Sequence, residues 1–236
     1  MASRPAVRSL GTPVASTGSV ASASIPLPTG WQPGDLCLIP ASSRSTGALG
    51  TAPAGWTDVV ANFNSANSTS SHTAVYGRIL QAGDTDPTIT LSSGRLAAQA
   101  IAVQDHGLVS LTDLVSATDP NGATESTSIV APGLTPADDR SLLLSIHAAT
   151  ESAAGTTWTV TPPAGGTEIL DIVSTSGTLT NASLEVATYD LADASAVGAR
   201  TATATATVSA SGVSIAVLAA AAAEPTLRVV RSNLRM

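Results

Sequence analysis

A short turn sequence of the form Pro-Ala-Gly occurs twice in this chain and constrains its fold more than any other feature. It stands at residues 53–57 (PAGWT) and again at residues 163–167 (PAGGT), 110 positions later. Proline fixes φ and glycine tolerates positive φ, so each copy predicts a tight turn that leads the chain into a strand. Because the segments on both sides recur in the same order, we interpret the chain as an internal duplication, with pseudo-repeats over about residues 18–108 and 122–222.

The neighbours of the two turns support this interpretation. An apolar segment that ends in proline precedes each turn, a tyrosine-containing run follows it, and an alternating threonine run leads to a final apolar segment. The alternative is chance similarity, because β sequence rich in Ala, Ser and Thr matches itself easily. The paired segments are residues 25–28 and 129–132, 75–80 and 186–191, 88–91 and 203–208, and 100–103 and 214–217.

Short runs rich in β-branched residues, separated by Gly, Pro, Asn and Asp, recur along residues 18–222. This spacing is typical of sandwiches and barrels, and no segment has the helical period of an amphipathic helix. The chain is therefore predicted to be all-β, as an antiparallel two-sheet β-sandwich of jelly-roll-like form. Aromatic residues make up only 3% of the sequence, so a half of about 100 residues would have a marginal core of its own. One fused sandwich is favoured over two tandem sandwiches.

Both ends of the chain lack the pattern of the central region. Residues 1–17 contain Pro, Ser and Arg without periodicity and predict an extended N-terminal arm, with regular structure starting near Ser19. Residues 223–236 predict a second extended arm, in which apolar and basic residues alternate. Such a segment can add a strand to the sheet edge of a neighbouring subunit, which predicts homo-oligomeric assembly. The predicted assembly segment consists of Leu227, Arg228, Val229, Val230 and Arg231.

Charge and hydropathy argue against two classes of partner. The formal net charge is −7 and all ten basic residues are arginine, so we expect no basic surface of the kind that nucleic-acid binding requires. The longest apolar run, residues 215–223, is too short to span a bilayer, and the first residues lack the apolar stretch of a secretory signal. We expect a protein that is made in the cytoplasm and has no membrane partner.

No residue pattern in the sequence predicts catalysis. The three histidines lie far apart, and there is no Gly-x-Ser-x-Gly elbow. The single cysteine, Cys37, stands inside an apolar run and should be a small buried hydrophobe. His147 should lie in the core or on a sheet face, whereas His72 and His106 should be surface-loop or strand-end residues. The chain is predicted to be non-enzymatic, with no catalytic residue, cofactor or metal.

Two acidic residues and two tryptophans are the remaining candidates for a binding role. Asp84 and Asp86 flank a turn, where aspartate caps backbone N–H groups, and calcium ligation is the alternative. Trp31 and Trp56 can stack on sugar rings if they are exposed, which would make them glycan contacts. The alternative for Trp56 is a core anchor, as expected for Trp158, because the core has few other large side chains.

Five segments of the first half form a series of structural motifs: residues 25–28 (IPLP), 32–36 (QPGDL), 53–57 (PAGWT), 75–78 (VYGR) and 103–107 (VQDHG). This series resembles a widespread β-sandwich module of tailed-bacteriophage virion surface proteins, of minor tail or decoration type, and of bacterial surface proteins. The resemblance covers about residues 19–220. The second half departs from the pattern, with Gly166 in place of tryptophan and Asp139-Arg140 in place of the Gly-Asp-Leu string.

The resemblance implies a structural protein of the phage virion that assembles through its terminal arms and exposes the sandwich on the particle surface. A minor tail or fibre-like component is the first expectation, and a capsid decoration protein is the alternative. A carbohydrate-binding adhesion module is the alternative of a different class. The implied partners are other virion proteins, further copies of the chain and a host surface glycan.

Overall fold

The computed structural model describes residues 3–150, 158–174 and 181–220, and strands dominate these residues. The prediction of an all-β chain is confirmed. The strands of the first half are β1 (Ala6–Leu10), β2 (Val14–Ala15), β3 (Val20–Ser24), β4 (Leu36–Ser45), β5 (Thr57–Ser65), β6 (Ser68–Ile79), β7 (Thr88–Ala98) and β8 (Ile101–Gln104). Those of the second half are β9 (Val115–Asp119), β10 (Ser126–Ala131), β11 (Leu142–Thr150), β12 (Val160–Thr161), β13 (Thr167–Val173), β14 (Ala182–Asp190) and β15 (Arg200–Val217).

The strands form two antiparallel sheets, and each sheet takes its strands from one half of the described chain. The first sheet has the order β1-β8-β4-β6-β5, and β7 pairs with β2, β3 and β4. The second has the order β10-β15-β11-β14-β13, and β9 and β12 also pair with β15. The prediction of two antiparallel sheets is therefore confirmed.

Four neighbouring strands follow the same order in both sheets. The first sheet places β8, β4, β6 and β5 side by side, and the second places β15, β11, β14 and β13 side by side. The long strand β15 combines the pairings of β7 and β8. Its beginning pairs with β10, as β7 pairs with β3, and its end pairs with β11 and β9, as β8 pairs with β4 and β1.

The central strands β4 and β11 are buried on both faces, and each begins with consecutive apolar residues, at positions 36–41 and 142–144. Leu38 of β4 and Leu144 of β11 belong to one aliphatic cluster that contains residues of both sheets, here called the inter-sheet core. Their chain neighbours Ile39 and Leu143 point the other way, into separate clusters within each half. The inter-sheet core also includes Leu36, Val75, Ile101, Val103, Leu142, Ile146, Leu184, Val186, Val213, Ile215 and Val217.

The N-terminal segment lies on the first sheet, and regular structure begins at Ala6 rather than near Ser19. Strand β1 pairs with β8 in antiparallel register, and its apolar residues pack against the inter-sheet core. Arg8 fixes this strand through two hydrogen bonds to the buried carboxylate of Asp35, at 2.7 and 3.2 Å. The described part of the predicted N-terminal arm, residues 3–17, is thus docked on its own chain. The predicted assembly segment, Leu227–Arg231, lies outside the described residues.

Helical structure in the described ranges is limited to one 3-10 turn, Leu111–Asp113, which joins the two halves. Ser110 caps this turn, since its hydroxyl accepts a hydrogen bond from the Thr112 N–H and its own N–H donates to the Asp113 carboxylate. No helix in the part of the chain that the structure describes has the length and apolar character needed to cross a bilayer.

Replacing Arg8 with alanine should release β1 from the sheet. The side chain of Asp35 is 5% exposed and that of Arg8 is 32% exposed. The free energy of unfolding should therefore fall by about 1–3 kcal/mol, which is between the values for a surface ion pair and a buried one. Urea unfolding measures the free energy, and hydrogen exchange of the β1 amides shows where the loss acts. Arg4→Ala is the matched control, because the Arg4–Asp190 pair is 36% and 64% exposed. Equal effects of the two substitutions would contradict the anchoring role of Arg8.

Candidate functional site

A cavity of about 380 Å³ beside Trp56 brings together most of the residues that the sequence marked for a binding role. Trp56, Asp84 and Asp86 all line it, together with Arg78. Trp31 does not. The other lining residues are Pro53, Ala54, Gly83, Thr85, Pro87 and Thr88. We call it the Trp56 cavity.

The Pro-Ala-Gly turn that precedes Trp56 has the predicted geometry, and so does its second copy. Gly55 has φ +79° and Gly165 has φ +81°, a region that side-chain-bearing residues rarely adopt. The Trp56 backbone N–H donates to the Pro53 carbonyl at 2.9 Å, which closes the first turn. Strands β5 and β13 then begin at Thr57 and Thr167.

Arg78 joins this turn to the loop that carries Asp84. Its Nε and Nη2 atoms donate to the two carboxylate oxygens of Asp84 at 2.7 and 2.6 Å, and its Nη1 donates to the Gly55 carbonyl at 2.5 Å. This fork is the geometry in which arginine binds a carboxylate most strongly. The paired hydrogen bonds raise the pKa of Arg78 and lower the pKa of Asp84. One wall of the Trp56 cavity is therefore a fixed ion pair.

The two aspartates act as turn residues. Asp84 accepts a further hydrogen bond from the Gln81 N–H at 2.9 Å, and Asp86 accepts one from the Leu27 N–H, also at 2.9 Å. The Arg78 cation beside Asp84 disfavours a second cation at the same carboxylate. Within the described ranges, no group of three or more His, Cys, Asp or Glu side chains is placed to hold a metal ion. These contacts favour the capping role over calcium ligation.

The three tryptophans lie in different environments. Trp158 is 4% exposed, and its Nε1–H donates to Ser183 Oγ at 3.2 Å, so it is the core anchor that the sequence predicts. Trp31 and Trp56 are both half-buried and pack against the apolar cluster of the first half. Trp56 thus combines the two predicted alternatives, because one part of it covers the core while it also lines the cavity.

A tyrosine ring lies against the second turn at Gly166, the position that corresponds to Trp56. A Cβ atom added to Gly166 would lie 2.5 Å from the Tyr189 ring, which excludes a tryptophan at this position. The Tyr189 hydroxyl donates to the Pro163 carbonyl at 3.3 Å, and the Arg200 guanidinium lies 4.6 Å from the ring centroid. The two turns are therefore alike in backbone and different in the side chains that support them.

The histidine predictions are right for the core and wrong for one surface position. His147 is fully buried, as predicted. His72 is 3% exposed instead of lying at the surface, because the polar start of β6 is flanked by β4 and β5, and burial lowers its pKa. His106 is half-buried, with Nε2 2.8 Å from the Gly34 carbonyl oxygen. Cys37 is buried as predicted, and burial raises the pKa of its thiol to about 12.

A buried acid–base pair in the second sheet has no signal in the sequence. His147 of β11 and Glu185 of β14 are opposed in the register, and Nδ1 lies 2.5 Å from Oε2 with both side chains fully buried. Nε2 of His147 lies 3.2 Å from the Arg200 carbonyl oxygen, whereas Oε1 of Glu185 has no hydrogen-bond partner. Burial raises the pKa of Glu185, and His147 opposes this shift. Because both side chains are fully buried, a substrate in solution does not reach the pair. The contact of His147 with Glu185 instead links β11 to β14.

Comparison of the chain with protein-family models, with curated proteins and with solved structures gives no significant match.

Replacing Glu185 with glutamine should make the protein relatively more stable as the pH rises. The folded-state pKa of Glu185 is raised above its ordinary value of 4.5, so the native protein loses stability as the pH increases from that value through the raised pKa. Glutamine keeps an acceptor for His147 and does not titrate. Urea unfolding between about pH 4 and pH 8 should show a growing advantage of the variant, worth about 1.4 kcal/mol for each unit of pKa difference.

The control for this comparison is the exposed residue Glu125, because Glu125→Gln removes a carboxylate without removing a buried one. A stability difference between Glu185→Gln and the parent protein that is constant with pH would contradict the assignment of a raised pKa to Glu185.

Proposed function

We propose that the chain is a non-enzymatic structural protein of a tailed-bacteriophage virion that exposes its β-sandwich on the particle surface. The observation that carries the proposal is the structural role of the residues behind the phage resemblance. In the segment QPGDL, Gly34 has φ +94° and the Asp35 carboxylate accepts a hydrogen bond from the Arg8 guanidinium. In the segments PAGWT and VYGR, the Gly55 carbonyl accepts a hydrogen bond from Arg78.

These contacts all fix turns and strand entries. Residues that fix turns define a structural scaffold. The loops outside these turns can then differ in sequence and in the molecules that they contact. A scaffold of this kind suits a protein that is displayed on a particle. The resemblance then supplies the setting, which is the virion of a tailed phage.

We further propose that the chain is a duplicated module, with two copies packed face to face in a jelly-roll-like sandwich. The matched strand order of the two sheets supports this, as does the positive φ of Gly55 and Gly165 at the two strand-entry turns. The inter-sheet core supports one fused unit, because it takes apolar side chains from both sheets. A separation of the halves would expose this core to water.

Within the virion, a minor tail or fibre-like component is our first assignment and a capsid decoration protein is the alternative. In either position we propose that Leu227–Arg231 adds a strand to a neighbouring virion protein or to another copy of the chain. Cryo-electron microscopy of particles carrying a labelled chain separates the two assignments, since the label appears either along the tail or at the icosahedral shell. A label found on neither part would contradict the proposal.

Deleting residues 224–236 should abolish incorporation into particles while the purified protein keeps its fold, because every strand of the described residues lies before this segment. Incorporation is measured by immunoblotting of purified particles, and the fold by circular dichroism and urea unfolding. Deleting only residues 232–236 is the matched control, because it keeps the proposed strand. Normal incorporation of the chain that lacks residues 224–236 would refute assembly through this arm.

A carbohydrate-binding role is the second candidate, and the Trp56 cavity favours it. An indole beside charged and hydroxyl side chains is a common arrangement for sugar binding, because the ring stacks on the C–H face and the polar groups bind the hydroxyls. Trp56, Asp84, Arg78 and Thr85 supply these groups along one cavity. The ligand class would be a neutral or acidic polysaccharide of the host surface.

Trp56→Ala tests this role on an array of bacterial surface polysaccharides. Loss of a stacking ring worth about 1–1.5 kcal/mol should weaken binding about ten-fold. Trp31→Ala is the matched control, because Trp31 packs against the same apolar cluster without lining the cavity. Binding that survives Trp56→Ala, or that falls equally in both variants, would exclude the cavity as the glycan site.

A further inference from the structure

Two arginines face each other in the first sheet, away from the Trp56 cavity. Arg44 of β4 and Arg95 of β7 occupy directly opposed positions in the antiparallel register. Like charges at opposed positions of a strand pair destabilise the sheet. In the described part of the chain neither arginine forms an ion pair, although Arg4, Arg8 and Arg78 each do.

Arg95 is the more deeply buried of the two. It is 3% exposed, and its Nε and Nη1 atoms have no hydrogen-bond partner. A buried guanidinium with unpaired N–H groups carries a large desolvation cost unless an acceptor or an anion meets it. These N–H groups of Arg95 therefore need an acceptor, and the described residues do not supply one.

Arg44 is half-buried and uses one nitrogen, donating from Nη1 to Ser68 Oγ at 3.0 Å. Burial lowers the pKa of its guanidinium, and the exposed carboxylate of Glu125 acts in the opposite direction without forming an ion pair. Burial and the charge of Arg44 both lower the pKa of the buried His72 imidazole. This end of the first sheet thus holds two arginines that form no ion pair with the described residues, in a chain whose net charge is −7.

Both arginines line one cavity of about 220 Å³, where β4 ends and β6 begins. Gly94 and five hydroxyl-bearing residues, among them Ser70 and Ser93, complete its lining, and no carboxylate belongs to it. Guanidinium and hydroxyl groups are donors that suit an oxygen-bearing anion. The volume is below the roughly 300–1,000 Å³ of sites for drug-sized ligands, so the cavity suits one charged group with its nearest substituents.

We propose that the cavity between Arg44 and Arg95 is an oxyanion site that takes a carboxylate, sulfate or phosphate group. The anion supplies the acceptor that the buried guanidinium lacks, and it offsets the repulsion between the two opposed cations. The hydroxyl groups around the arginines provide donors for the remaining oxygens of the anion or for a hydroxyl of an attached sugar. This site does not depend on the virion proposal or on the Trp56 cavity.

Isothermal titration calorimetry of the full-length chain with sulfate, phosphate and glucuronate tests the proposal, with sodium chloride at matched ionic strength as the reference and glucose as the uncharged probe. At least one of the three anions should bind saturably with a stoichiometry of one, and glucose should not. Tighter binding of glucuronate indicates an acidic saccharide as the source of the anion, whereas tighter binding of sulfate or phosphate indicates the inorganic ion or its ester. Absence of saturable binding by all three anions would overturn the proposal.

Substitution locates the site. Arg44→Met should weaken binding about ten-fold or more, as expected for the loss of a charge-assisted hydrogen bond. Arg95→Met should do the same, and Arg44 keeps the test decisive if the buried variant does not fold, because Arg44 is only half-buried. Arg4→Met is the control, since Arg4 lies in another part of the fold. Unchanged binding in Arg44→Met, with circular dichroism showing an intact fold, would overturn the assignment to this cavity.

Discussion

Burial of both faces of β4 and β11 is the constraint on which the rest of the structure depends. A strand that contacts core on both sides needs apolar residues at consecutive positions, and residues 36–41 and 142–144 supply them without an aromatic side chain. One face of each strand builds the inter-sheet core and the other builds a cluster within its own half. Strands β6, β7, β8, β14 and β15 pair directly with these two, and the remaining strands pair with those five.

Local features of the sequence predicted much of this arrangement. The strand-entry turns follow from proline and glycine, the buried Cys37 from its apolar run, and the Trp158 anchor from the scarcity of large side chains. The features that sequence reasoning missed depend on partners far away in the chain. The position of β1 depends on β8 and on Asp35, the Glu185 pair depends on strand register, and the opposition of Arg44 and Arg95 arises only when β4 meets β7. Such pairings leave no periodic signal in a single sequence.

The first sheet has a different chemical character at its two ends. At one end of β6, Arg78 is neutralised by Asp84 and supports a wall of the Trp56 cavity. At the other end, beside Ser70, Arg44 and Arg95 have no ion-pair partner among the described residues. Eight residues of extended strand separate Ser70 from Arg78, a distance of about 26 Å. A single polysaccharide chain that reached both cavities would therefore have to run along the sheet for several sugar units.

The pairing of β15 has a mechanical consequence. This strand of 18 residues is hydrogen-bonded to β9, β10, β11 and β12, so its ladder extends over nearly its whole length. A pulling force applied to the chain beyond Val217 acts along the strand and perpendicular to these hydrogen bonds. The bonds are then loaded together in shear instead of being opened one at a time. A molecule tethered through its C-terminal segment would therefore resist tension with the full width of its second sheet.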